Sequence, residues 1–182
     1  MSGHLDAYDV ATGGVDDGSG VTPTMEAARL IMEAGGKPKR TILAILWAGE
    51  EFGLLGSKSW IERNINKLDK ISNMVNRDGG PTVPTGIRVP DAMRDDFEKI
   101  CESLNDITFQ TGDPKGYNFS YGEIWHTERD LYNKSIPEYQ EHAAIATAIV
   151  VYGIADLDHL LSRDGYYIEK IDEPVKKKKN KK

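Results

Sequence analysis

One cysteine, Cys101, stands in a chain of 182 residues, so no disulfide closes within it. No apolar run reaches the roughly 20 residues needed to cross a bilayer. The opening segment, MSGHLDAYDV, has neither the basic nor the apolar region of a signal peptide. Three signatures are also missing. The glycine-rich stretch 13–20 carries no phosphate-binding lysine, which disfavours a nucleotide-binding reading. No Gly-x-Ser-x-Gly elbow and no His-Glu-x-x-His helix occur, which disfavours serine hydrolases and single-zinc thermolysin-like enzymes.

What is present fits a globular chain: 39% hydrophobic and 29% charged residues, with a net charge of -6. The stretch Lys176 to Lys182 contributes six lysines, so the remainder is more acidic than the whole. An acidic body argues against nucleic acid as a partner. The lysine-rich end reads as a solvated tail within a C-terminal extension over 166–182, and residues 1–165 read as one domain.

Along the chain, a Gly/Asp-rich loop leads into an expected helix over Val21–Ala34, with Pro23 in its first turn and Gly35-Gly36 at its end. Thr41–Trp47 is nearly continuous in apolar residues and predicts a buried strand. A helix is expected near Gly53–Arg63, a weaker strand over Ile71–Asn76, and loop through the three prolines of Pro81–Pro90. Asp91–Leu104 is periodic, with Met93, Phe97, Ile100, Cys101 and Leu104 on one side. Ser135-Ile136-Pro137-Glu138 has the form of a capping box, opening a helix expected to reach about Leu161 and to carry His142 and His159. Asn118-Phe119-Ser120 matches a glycosylation sequon, a short pattern with many chance matches. Strand–helix alternation predicts an α/β fold.

The ends of these strands carry the chemistry. His4 and Asp6 flank one residue near the start, Glu50-Glu51 follow the apolar strand, Asp78 follows the weaker one, and Asp16 lies in the glycine loop. His126 sits in Trp125-His126-Thr127-Glu128-Arg129-Asp130. In open α/β sheets, sites collect at such strand ends. Grouped carboxylates repel one another and desolvate badly unless a cation neutralises them. Imidazole and carboxylate without thiolate suit zinc, with cobalt or manganese as alternatives.

Taken in order, Gly3-His4-Leu5-Asp6, Val15-Asp16-Asp17-Gly18-Ser19-Gly20, Leu46–Ser57 with Glu50-Glu51, Asn76-Arg77-Asp78 and Trp125-His126-Thr127 resemble the M28 zinc peptidases, the aminopeptidase and carboxypeptidase Q-like group. The resemblance spans residues 2–165. It implies a three-layer α/β/α zinc-exopeptidase fold with a mixed, mostly parallel central sheet. It implies two zinc ions: His4 and Asp78 on the first, Glu51 and His126 on the second, and Asp16 bridging both. By the same resemblance Glu50 is the general base, Asp6 the carboxylate supporting a metal-bound histidine, and the Asp16–Asp17 peptide cis. The substrate implied is a peptide, cleaved at a terminus or as a dipeptide. The family is mostly extracellular or periplasmic, while this chain shows no export signal.

Two departures bear on these expectations. Family members carry elements before the His-x-Asp block, whereas His4 is here the fourth residue. They also carry a further buried strand and a Ser/Thr-Asp-His segment where this chain runs through Thr111-Gly112-Asp113-Pro114 to Tyr117. The sheet is therefore expected to lack strands, leaving edges through which copies could associate. The alternative function is a catalytically inactive zinc-binding or interaction module.

Overall fold

A computed structural model describes residues 1–81, 83–107 and 119–164. The lysine-rich tail, the division at residue 166, the Thr111–Tyr117 stretch and Asn118 of the sequon lie outside the described residues.

The fold is helix-rich α/β with a small sheet. Strand β1 (Ser2–His4) pairs in parallel with β2 (Ile45–Trp47), Gly3 opposite Leu46 and His4 opposite Trp47. On its other side β1 meets Asn76 through a parallel bridge at Ser2, where the Ser2 hydroxyl lies 2.6 Å from the Asn76 side chain. All three segments therefore run the same way, and the residues that follow each one emerge at one common end.

Helix α1 (Gly18–Glu33) packs on β1 and on α5 (Pro137–Asp156). Ala143, Ala144 and Ala148 are buried on α5 and Ala27 on α1, and these small side chains allow the two axes to approach. Ala27, Ala148 and Val151 close around Met1 at the start of β1. A second cluster joins Met93, Phe97 and Ile100 to Val150, Ile154 and Leu161, seating α3 (Arg94–Cys101) on α5. Burying each large member of that cluster stabilises the fold by about 1.5–3 kcal/mol. The half-buried Cys101 packs against it, as its periodic position suggests. Helix α2 (Leu55–Arg63) sets Trp60 edge-on against Trp47 at 6.1 Å. The short α4 (Tyr121–Ile124) leads into the His126 turn.

Several expected boundaries shift. Pairing is confined to residues 45–47, and residues 71–76 contribute only the Asn76 bridge, so the sheet among the described residues is two-stranded and parallel. Residues 41–44 precede the paired stretch, where the Leu43 carbonyl accepts from the Met1 amino group at 2.9 Å. Helix α1 begins at Gly18, three residues early. Pro23 cannot bond to the Ser19 carbonyl four residues back, and the Arg77 guanidinium fills that gap, Nε to Ser19 oxygen at 2.8 Å.

The capping box does not form. Ser135 Oγ accepts from Gln140 Nε2, and the position before the helix falls to Ile136 with no side-chain cap. Helix α5 stops at Asp156, where Leu157 turns to an extended ψ of 150°, and Lys39 and Arg40 satisfy the terminal carbonyls. Lys39 Nζ binds the Asp156 oxygen at 2.7 Å, the Arg40 backbone N–H binds that of Ala155, and its guanidinium binds that of Leu157. His159 thus lies past the helix, where it pairs with Asp96 at 2.9 Å, while His142 remains on α5.

Candidate metal centre

Parallel strands explain why residues distant in sequence meet. His4 ends β1, Asp78 follows the Asn76 bridge by two residues, and Glu50-Glu51 lie past β2 on a turn made at Gly49, whose φ is +69°. Asp6 fixes that turn: its carboxylate accepts the Glu50 N–H at 3.1 Å and the Glu51 N–H at 3.2 Å. Its backbone carbonyl lies 2.9 Å from His4 Nδ1 and holds the imidazole with Nε2 facing inward. The support expected of Asp6 therefore reaches the histidine through the main chain. The Asp6 carboxylate, 3.9 Å from Nδ1, serves the glutamate turn instead.

Asp16 lies between the two histidines. Its Oδ1 is 3.0 Å from His4 Nε2, and its Oδ2 is 3.8 Å from His126 Nε2. Around His4 stand Asp78 at 3.8 Å and Glu50 at 3.9 Å, while Glu51 approaches His126 to 2.9 Å. All seven residues singled out in the sequence thus belong to one cluster, with Asp6 at its back. Two triads bring potential ligand atoms within 4.8 Å of one another: His4 with Asp16 and Glu51, and His4 with Asp17 and Asp78.

His126 has a positive φ of 58°, a conformation uncommon for a residue with a side chain. Its ring stacks on Tyr8 at 4.5 Å and lies tilted against Trp125 at 4.2 Å.

The electrostatics are those of a site short of positive charge. Burial disfavours a charged His4, but the bond to Asp16 and the nearby carboxylates of Asp78 and Asp17 outweigh it and push the imidazole up to about 11. Burial also pushes Glu50 and Glu51 upward, helped by the neighbouring carboxylates. Asp16 is held low despite its burial, because His4, Tyr121 and His126 favour its charge. The Tyr121 hydroxyl, 3.2 Å from Asp16 Oδ2, is pushed up by burial and by that carboxylate, so it keeps its proton and donates. Glu51 Oε1 is buried with no hydrogen-bond partner among the described residues. An acceptor in that position costs free energy unless a cation or donor meets it. Imidazole nitrogens, carboxylate oxygens and an orphaned acceptor together fit a divalent cation.

Three contributors have no role assigned from the sequence, although Asp17 and Asp130 lie within the quoted segments. Asp17 is almost fully buried, accepts the His4 N–H at 2.8 Å, and is raised by burial to about 8. Its carboxylate occupies space that only glycine leaves: a Cβ on Gly3 would fall 2.9 Å from Asp17 Oδ2 and 2.7 Å from the Gly20 carbonyl carbon. Buried Asp130 receives the backbone N–H groups of Val15 and Asp16. Tyr8 stacks on His126 from a loop with no sequence signal of its own. The Asp16–Asp17 peptide is cis, as the resemblance implies.

A sequence model of peptidase family M28 matches residues 1–111. Carboxypeptidase Q of Mus musculus is 30% identical over 185 aligned positions, covering 90% of this chain and 39% of that protein. Carboxypeptidase Q of Homo sapiens gives the same identity and coverage. The crystal structure of a peptidase M28 precursor from Shewanella amazonensis superposes with a TM-score of 0.74 at 28% identity, over 88% of this chain and 42% of that one. The chain thus spans about two fifths of the length of the relatives it matches. The family match covers more than half of the chain and includes every candidate site residue except His126, and the chain therefore belongs to peptidase family M28, whose members are metal-dependent peptidases, typically with zinc.

Proposed function

We propose that this chain carries the metal site of a dizinc exopeptidase that hydrolyses peptide bonds at chain termini or in dipeptides. His4 and Asp78 would hold one zinc, Glu51 and His126 the other, and Asp16 both. The observation that supports this most is the placing of Asp16, with one carboxylate oxygen toward each imidazole. Cobalt and manganese suit the same donors. The parallel run of β1, β2 and Asn76 under α1 and α5 supports a place for these elements in a three-layer α/β/α sheet.

A bound metal pair would supply water of lowered pKa and a positive pole for the carbonyl oxygen of the scissile bond. Glu50 serves as the base. Its carboxylate is partly exposed, faces the cluster from the turn after β2, and has its proton affinity raised by burial and by Asp78, Asp16 and Asp6. It takes a proton from the attacking water and delivers it to the departing amine. Asp6 keeps Glu50 and Glu51 on their separate bearings by binding both backbone N–H groups. Tyr121 and His4 orient Asp16 from opposite sides.

The test is hydrolysis of a panel of dipeptides and aminoacyl amides by zinc-loaded protein. Turnover is expected, and Glu50→Gln should lower kcat by about 10²–10⁴-fold while zinc content stays unchanged. Zinc uptake without turnover of any substrate would reduce the chain to a metal-binding module.

A further inference from the structure

We infer that Asp130 is a positioning residue that ties the Asp16 loop to the His126 loop and so sets the half of the site formed by Asp16, Glu51 and His126. The inference rests on the two-metal reading above. Asp130 lies four residues after His126 and is 1% exposed. Its Oδ1 accepts the Val15 N–H at 2.8 Å and its Oδ2 the Asp16 N–H at 2.9 Å. Both oxygens are thus spent on the main chain of the loop that carries Asp16.

The backbone repeats the connection. The Asp130 carbonyl accepts from the Thr12 hydroxyl at 3.1 Å and from the Thr12 N–H at 3.2 Å, with the Gly14 N–H at 3.5 Å. The Asp130 N–H closes a turn onto the Thr127 carbonyl at 3.1 Å, which binds it to the His126 turn. The two loops touch without room to spare: a Cβ on Gly14 would collide with the Leu131 carbonyl. Two short loops more than a hundred residues apart are joined here by five hydrogen bonds converging on one residue. A carboxylate is needed because each of its two oxygens accepts from a different backbone N–H group. An amide offers one acceptor oxygen and would turn its own donor group toward the other N–H.

Asp16 is common to both halves, but only His126 is joined to Asp130 through its own turn; His4 is also held by the Asp6 carbonyl, and Arg77 links the Asp78 segment to α1. Loosening Asp130 should therefore bear unequally on the two halves. Outer partners of a metal site are worth about 10–100-fold in affinity.

The experiment is a competitive zinc titration of metal-free wild-type and Asp130→Asn protein, with cobalt absorption spectra and thermal melting of the metal-free forms. The expected result is a loss of tenfold or more in affinity for one zinc, less than threefold for the other, and a changed cobalt spectrum for the weakened site. If Asp130→Asn does not fold, Thr12→Val, which removes only the hydroxyl bond to the Asp130 carbonyl, should give a selective weakening of several fold. Two zincs bound with wild-type affinities overturns the inference, as does an equal weakening of both that merely follows a lowered melting temperature. Fewer than two zincs in the wild type overturns the two-metal reading and this inference with it. Two in the wild type with unselective variants overturns this inference alone.

Discussion

The two sides of the β1–β2 pair differ sharply. At the end where the strands stop, six charged or imidazole side chains meet, and nearly every loop around them is tied by named hydrogen bonds. Along the flank lies a groove of about 720 Å³ walled by Ile42, Leu43, Met74, Val75, Leu160 and neighbouring apolar residues, and it contains none of the site residues. Leu43 and Met74 are each more than half exposed there. The polar end is a local construction: three parallel segments, two clamping aspartates and the aromatic contacts of His126 define it. The apolar flank has only packing on one side, so its residues should matter little to the chemistry.

Zinc gives the largest contrast. At a hundredfold excess over its dissociation constant, each bound zinc should raise stability by about 2.7 kcal/mol. The two ions together would raise Tm by roughly 10–20 °C for a chain of this size. The metal-free protein should show a pH dependence of defined sign. His4 is raised from 6.5 to about 11, so its stabilising contribution is complete below about 6.5 and is lost as pH rises through 11. Asp17, raised from 3.8 to about 8, acts in the same direction, its contribution lost as pH rises through 8. Metal-free protein should therefore melt lower at pH 9 than at pH 6, and added zinc should recover more at pH 9, where fewer protons must be displaced. Melting curves with and without chelator at both values check this.

Gly3→Ala comes next. Its Cβ would press on Gly20 and the Asp17 carboxylate, and overpacking of this kind costs about 1–3 kcal/mol. Denaturant midpoints should drop, with zinc affinity falling as well because His4 is adjacent. The smallest effect belongs to the flank: Leu43→Ser should change stability by no more than about 0.5 kcal/mol and leave zinc binding unaltered. A large loss of zinc binding in Leu43→Ser would break the separation between the two regions.

How much of this was legible beforehand follows the same division. His4, Asp16, Glu50, Glu51 and Asp78 stand out as charged or imidazole groups at strand ends or in a glycine loop, His126 stands out only through the Trp125-His126-Thr127 resemblance, and the structure brings all six together. The roles of Asp17 and Asp130 are not legible although both lie in the quoted segments, since an aspartate that binds backbone N–H groups looks in sequence like any loop aspartate. The α1 start was hidden because the gap left by Pro23 is filled by Arg77, 54 positions away. The apolar runs over 41–44 and 71–75 form no ladder for another reason. An apolar run shows that a segment is fit to be buried, but ladder pairing depends on a partner that the segment itself does not encode.

The central claim is that Asp16 stands between two divalent cations. Titration of chelator-stripped wild-type protein with zinc, followed by metal analysis after dialysis, tests it most directly. Two zincs per chain, taken up with release of protons, are expected; a folded protein that retains none, or that saturates at one, would contradict the account.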